Sequence, residues 1–213
     1  EALGETDARR RLRTLAQALQ ALRDIDYFPG HAAEQAEAEL QGVREAVDAR
    51  HSRGEPRAAP LAGLTRLHTR DFLGRTWATR SRPWVDRLAC AWLIRRCIDP
   101  QARLLGLDDP ADCTPPPTGA LGYDYDGAEF THVGSLVSFE VLATRFDLDT
   151  DPALQRIARA VHLLDVGGIP VPEAPGLEAV LAGLREVHSD DDRLAAAAAA
   201  VFDAFYAAPG NRA

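Results

Sequence analysis

Eight side chains in this sequence have the types and spacing to do chemistry, and they fall into two sets. Arg80, Arg82 and Arg87 lie with Asp86 in the passage 76–100, which also carries all three tryptophans of the chain. Trp77 to Arg80 reads as a short strand that Pro83 ends. Val85, Leu88, Ala89, Trp92 and Leu93 then share one face of a helix that stops at Asp99-Pro100, because a proline excludes its predecessor from helical geometry. With Asp86 or Ser81 as N-cap, the three arginines surround a helix N-terminus, whose free N–H groups and dipole favour an anion. That is an oxyanion cradle in outline. The competing reading puts these arginines in surface ion pairs or stacks their stems on tryptophan.

The second set is His132, Glu140, His162 and Asp165. At about 100° per residue, Asp165 falls on the apolar face of the helix that follows Pro152, with His162 on its flank at i−3. A carboxylate there needs a cation, a metal or several donors, since burying an unpaired charge costs several kcal/mol. His132 and Glu140 come from the two preceding elements, so two histidines and two carboxylates become available to one ion, a donor set that suits Zn, Mn or Fe. The spacing matches no standard zinc motif. Alternatively, Glu140 complements a helix dipole, His162 bonds to Asp165, or Asp165 pairs with an arginine of the first set. No catalytic nucleophile is identified, because neither Ser138 nor Cys90 has a base partner at a recognisable spacing.

The elements that must position these residues are read from periodicity. Leu12, Leu15, Leu19 and Leu22 mark one helix, and Ala36, Leu40, Val43 and Val47 a second, broken from the first at Tyr27–Gly30. Together they form a helical hairpin over 1–52, whose stripes pack on each other or serve as a homodimer seam. Residues 53–75 read as a linker. Residues 76–213 read as an α/β (α+β) domain: strand, helix and strand, then a β-hairpin turning at Asp126-Gly127 with Tyr123, Tyr125, Phe130 and His132 on its strands. The expected fold is therefore a small mixed β-sheet with flanking helices, followed by a helical C-terminal half.

Composition narrows the function. The chain has 213 residues, 46% of them apolar, and no apolar run of membrane-span length. Its net charge of −8 argues against broad nucleic-acid binding. All 24 basic residues are arginine, and the three cysteines lack C-x-x-C spacing. Cys90 and Cys97 stand two helical turns apart, roughly 10 Å, too far for a disulfide. With no signal-peptide pattern, a reducing cytoplasmic setting is expected.

The run WATRSRPWVDRLACAWLIRRCIDP resembles the C-terminal domain of the ChrB chromate-resistance family, and DIDYFPGHAAEQAEAEL, GAEFTHVGSLVSFEVL, VHLLDVGGIPVPEA and FDAFYAA extend the similarity from Asp24 towards the C-terminus. All eight residues of the two sets occupy positions of the recurring family pattern. The resemblance implies a role in chromate resistance, as sensor and regulator of an efflux operon. It also implies that DNA is contacted only through a further N-terminal region, so that this sequence is part of a longer protein. Two functions follow. In the first, the chain senses chromate or a similar oxyanion through Arg80, Arg82 and Arg87, whose donors pair well with a tetrahedral dianion. In the second, it is a metal-dependent enzyme with His132, Glu140, His162 and Asp165 holding the metal and the arginines orienting an anionic substrate.

Overall fold

The computed structural model describes residues 5–26, 30–51, 64–108, 117 and 119–209. Residues 27–29 of the expected break, residues 53–63 of the 53–75 linker and most of the loop before residue 119, with Cys113, lie outside the described residues. The chain divides into two units, Glu1–Glu55 and Pro56–Ala213. In the first, α1 (Glu5–Arg23) and α2 (His31–His51) pack on each other and share an ion pair of 2.7 Å between Arg23 and Glu37.

The second unit is mixed α/β, as expected, built on three strands: β1 (Thr76–Arg80), β2 (Arg103–Leu107) and β3 (Ala120–Gly122), in the order β2-β1-β3. Strand alternation sends Trp77 and Ala78 to opposite faces. Trp77 enters the main core, which is completed by α3 (Val85–Leu93), α4 (Ser138–Arg145), α5 (Pro152–Asp165), α6 (Ala174–Val187) and α7 (Asp191–Ala207). All nine residues of α3 are buried, because it packs against α4, α5 and α7 at once. Ala78 belongs to a second, smaller cluster with Leu107, Tyr125 and Ala128.

That second cluster corrects the expected hairpin and with it the mixed sheet. Both strand pairings are parallel, and β3 ends at Gly122. Tyr123, Asp124 and Tyr125 are all buried, so no face alternates and strand pairing stops. The chain instead folds under the sheet, where Tyr125 and Ala128 cover the face opposite the helices. Gly122 permits this, since a Cβ there would collide with the Tyr125 phenol. Tyr123 and Phe130 share a single bridge, and it is parallel rather than the antiparallel pairing of a hairpin.

The long helix after β1 ends as expected near Asp99, through a π-helical turn at Ile94–Ile98. The Asp99 carboxylate accepts the backbone N–H groups of Gly74 (2.8 Å), Arg75 (2.9 Å) and Gln101 (3.1 Å), and the Trp77 indole N–H lies 3.4 Å away. Helix and strand are thereby tied at one buried point. Asp151 caps α5, accepting from Ala153 N and Leu154 N, and receives the Tyr206 hydroxyl of α7 at 2.7 Å. Tyr206→Phe removes only this last bond. It is expected to cost about 1 kcal/mol, read as a fall of roughly 2–4 °C in Tm by calorimetry. No helix among the described residues is long and apolar enough to cross a membrane.

Candidate metal centre

The carboxyl ends of β1 and β3 open onto the point where strand order reverses about β1, the usual place for a ligand crevice in a parallel sheet. β1 leads through Arg82, in left-handed geometry (φ 56°), to the start of α3. Asp86 or Ser81 was expected to cap α3. Instead Trp84 holds the N-cap position, with no side-chain bond, and Asp86 lies in the first turn. Its carboxylate reaches across to α4, where Oδ2 accepts Ser138 N (2.9 Å) and Oδ1 accepts Phe139 N (3.0 Å). One helix thus caps another.

Asp124 enters from the end of β3, also left-handed (φ 53°), a conformation that Asp tolerates better than most residues. Its Oδ1 accepts the Ser138 hydroxyl (2.6 Å) and its Oδ2 accepts Arg87 Nε (3.1 Å). His132, from the loop before α4, completes the group. Its Nε2 stands 3.3 Å from Asp86 Oδ2, 3.4 Å from Asp124 Oδ1 and 3.4 Å from Asp165 Oδ2, which comes from the last residue of α5. Four separate segments supply this one cluster.

Its electrostatics follow from burial. Asp86 is 2% exposed, and burial together with the Asp124 charge pushes its carboxyl up to about 6. Burial acts on Asp124 in the same direction, but the bond to His132 and the Arg87 charge overcome it and hold that carboxyl below the usual range. His132 is pushed up to about 11, because bonds to Asp124 and Asp86 outweigh the desolvation that favours its neutral form. Cys90, 3.6 Å from Asp86 Oδ1, is raised well above an ordinary thiol by burial and by the same carboxylates, so it stays protonated. Three carboxylates thus gather about the one His132 imidazole, with the Arg87 guanidinium bonded to Asp124. A divalent ion in place of the His132 proton would meet carboxylate oxygens of the same aspartates.

One ligand atom each from Asp86, His132 and Asp165 can be chosen so that all lie within 4.8 Å of one another. Asp124 is already engaged by Arg87 and Ser138. Of the second set, the structure brings His132 and Asp165 together, while Glu140 and His162 pair with each other, Oε2 to Nδ1 at 2.8 Å. Of the first set, Asp86 joins His132, and Arg87 borders the same cluster through Asp124. Arg82 turns elsewhere: its guanidinium donates to Arg185 O (2.7 Å) and His188 O (2.8 Å) at the end of α6. Arg80 lines a groove shared with Asp190, Asp191 and Asp192. Asp124 was missed in the sequence because the hairpin reading placed it beside a turn, and only its buried tyrosine neighbours hinted otherwise.

The family described as ChrB, C-terminal domain, matches residues 77–209. Protein ChrB of Cupriavidus metallidurans is 46% identical over 202 residues, an alignment that covers 95% of this chain and 61% of that protein. The chain thus spans about three-fifths of the length of this curated relative. No solved structure matches.

Proposed function

Because the chain belongs to the ChrB family, we propose that it is the ligand-responsive portion of a cytoplasmic chromate-resistance protein built on a metal centre. In this reading Asp86, His132 and Asp165 hold a divalent Zn, Mn or Fe ion. The ion, rather than an arginine cradle, provides the positive charge that meets chromate or a similar oxyanion. Arg87 supports the centre through Asp124. One observation carries the reading: a single half-buried imidazole nitrogen stands 3.3–3.4 Å from carboxylate oxygens of three aspartates. One imidazole nitrogen and carboxylate oxygens form a borderline donor set that suits these metals better than Ca, which takes oxygen ligands alone. The Asp86 carboxylate is also held in place by two α4 amides, as a metal ligand needs to be.

The net charge of −8 gives this chain no basic footprint for DNA. DNA contact, and with it regulation of transcription, belongs in this reading to the part of the longer relative that the chain does not cover.

The test is elemental analysis of protein loaded with each metal and then desalted. About one ion per chain is expected for the parent, with loss in His132→Ala and Asp165→Ala variants that circular dichroism shows to be folded. A chelator is expected to lower the parent's Tm, because an ion that binds only the folded state stabilises it by mass action. Parent protein that retains no Zn, Mn or Fe would overturn the proposal.

A further inference from the structure

The Glu140–His162 pair lies outside the three-residue centre but beside it, and the fold presents it in a particular way. Glu140 Oε2 accepts both Val137 N (3.0 Å) and the His162 Nδ1 proton (2.8 Å), so the ring is held by a carboxylate that is itself fixed to the backbone. Nε2 is therefore the nitrogen turned to whatever approaches. It faces the Gly167-Gly168 turn, whose φ angles of 87° and 124° favour glycine. A Cβ added at Gly168 would stand 3.9 Å from Nε2, an ordinary contact distance, so Gly168 borders this edge of the ring without a side chain of its own. The His162 side chain is 29% exposed and that of Glu140 20%.

Arg159, His162 and Asp165 follow one another at three-residue steps on α5, which makes them neighbours along one strip of the helix. Asp165 is a ligand of the proposed ion, and Arg159 is exposed. Arg159 and Glu140 also line a cavity of about 240 Å³ between α4 and α5, floored by Leu136, Ala143, Leu154 and Ala158. The strip therefore runs from an exposed cation through an imidazole to the centre.

We propose that this strip recognises the oxyanion: His162 Nε2 shares a proton with one oxygen of an anion bound at the centre, Glu140 holds the ring for that contact, and Arg159 draws the anion in. The inference rests on the metal-centre reading and adds the residues that select the ligand. No bond other than the hydrogen bond forms. The shared proton is carried in by a hydrogen-oxyanion, or is taken from solvent together with a dianion.

The experiment is isothermal titration of chromate, and separately of sulfate, into Zn-loaded full chain. The variants are His162→Asn, Glu140→Gln and Arg159→Ala, with Zn content measured on each sample. Parent binding of either anion is expected to weaken at least tenfold in His162→Asn and several-fold in Glu140→Gln, with Zn unchanged. In Arg159→Ala the loss is expected to be largest at low salt, because an exposed charge is screened. Unchanged anion affinity in His162→Asn with Zn retained overturns this inference alone. Loss of Zn from His162→Asn makes the ring a metal ligand and overturns it as well. A parent that holds no Zn, or that holds Zn and binds neither anion, overturns the proposed function and this inference with it.

Discussion

Asp86→Ala is expected to lower the stability of the Pro56–Ala213 unit by about 3–5 kcal/mol, the cost of removing one partner from a buried, hydrogen-bonded charge group. At 2–4 °C per kcal/mol for a unit of this size, the fall in Tm is on the order of 10 °C. Three losses coincide. The amides of Ser138 and Phe139 lose their acceptor at the N-terminus of α4, where Glu140 takes the Val137 amide instead. His132 loses one of its three carboxylates. The proposed ion loses a ligand, so Zn loading should vanish as well. Asp86→Asn separates these effects, because an amide oxygen still accepts one of the two α4 bonds while the charge is gone. Its Tm is expected to lie between those of the parent and the alanine variant. Calorimetry of the three proteins without metal decides the matter, and an alanine variant that melts within about 2 °C of the parent would mean that α4 does not depend on the carboxylate.

The second large effect is expected at Asp99. This side chain is fully buried and meets three backbone N–H groups and an indole. Burial alone would raise its carboxyl, but the bonds from Gly74, Arg75 and Gln101 hold it below the ordinary value. Asp99→Asn turns one acceptor into a donor aimed at another donor, which is expected to cost about 2–4 kcal/mol at pH 7. The pH dependence has a definite sign. A carboxylate depressed by folding contributes stability that is complete above its unfolded pKa of roughly 3.9 and is lost as pH falls through the lower folded value. The gap between parent and Asp99→Asn in urea unfolding should therefore be widest at neutral pH and narrow in acid below about pH 4. A gap of constant size between neutral pH and pH 3 would contradict the assignment.

The helices were legible because their apolar stripes are local facts: Leu154, Ile157 and Val161 of α5 and Phe139 and Leu142 of α4 are buried as their spacing demands. Val180 of α6, apolar and next to buried Leu181, is nonetheless 47% exposed, since α6 buries the line of Ala174, Leu177 and Leu181. The residues 121–132 misled because alternating aromatics before an Asp-Gly turn look like a hairpin. The need to cover the second face of the sheet, which no local pattern announces, drew Tyr125 beneath it.

The chemistry was legible by residue type and less so by partnership. His132 and Asp165 do meet. Glu140 and His162, read as members of the same group, pair beside it, and this partition depends on helix crossings and rotamers that spacing does not fix. The arginines diverge for a simpler reason: Arg80 is on a strand, Arg82 in a left-handed turn and Arg87 on a helix. Nearness along the chain therefore gave them different directions.

An all-parallel sheet also governs how the molecule is made. A hairpin can zip from its turn, but Thr76 must find both Arg103 and Ala120, so each pairing closes a long loop before any contact repays the lost entropy. Helices α1 and α2, neighbours in sequence, need no such search. The aspartates and the histidine of the centre span residues 86 to 165 and so cross both of those loops. A chain with one strand still unpaired holds the residues without the site, so the proposed ion would find its three ligands only once folding of the sheet is complete.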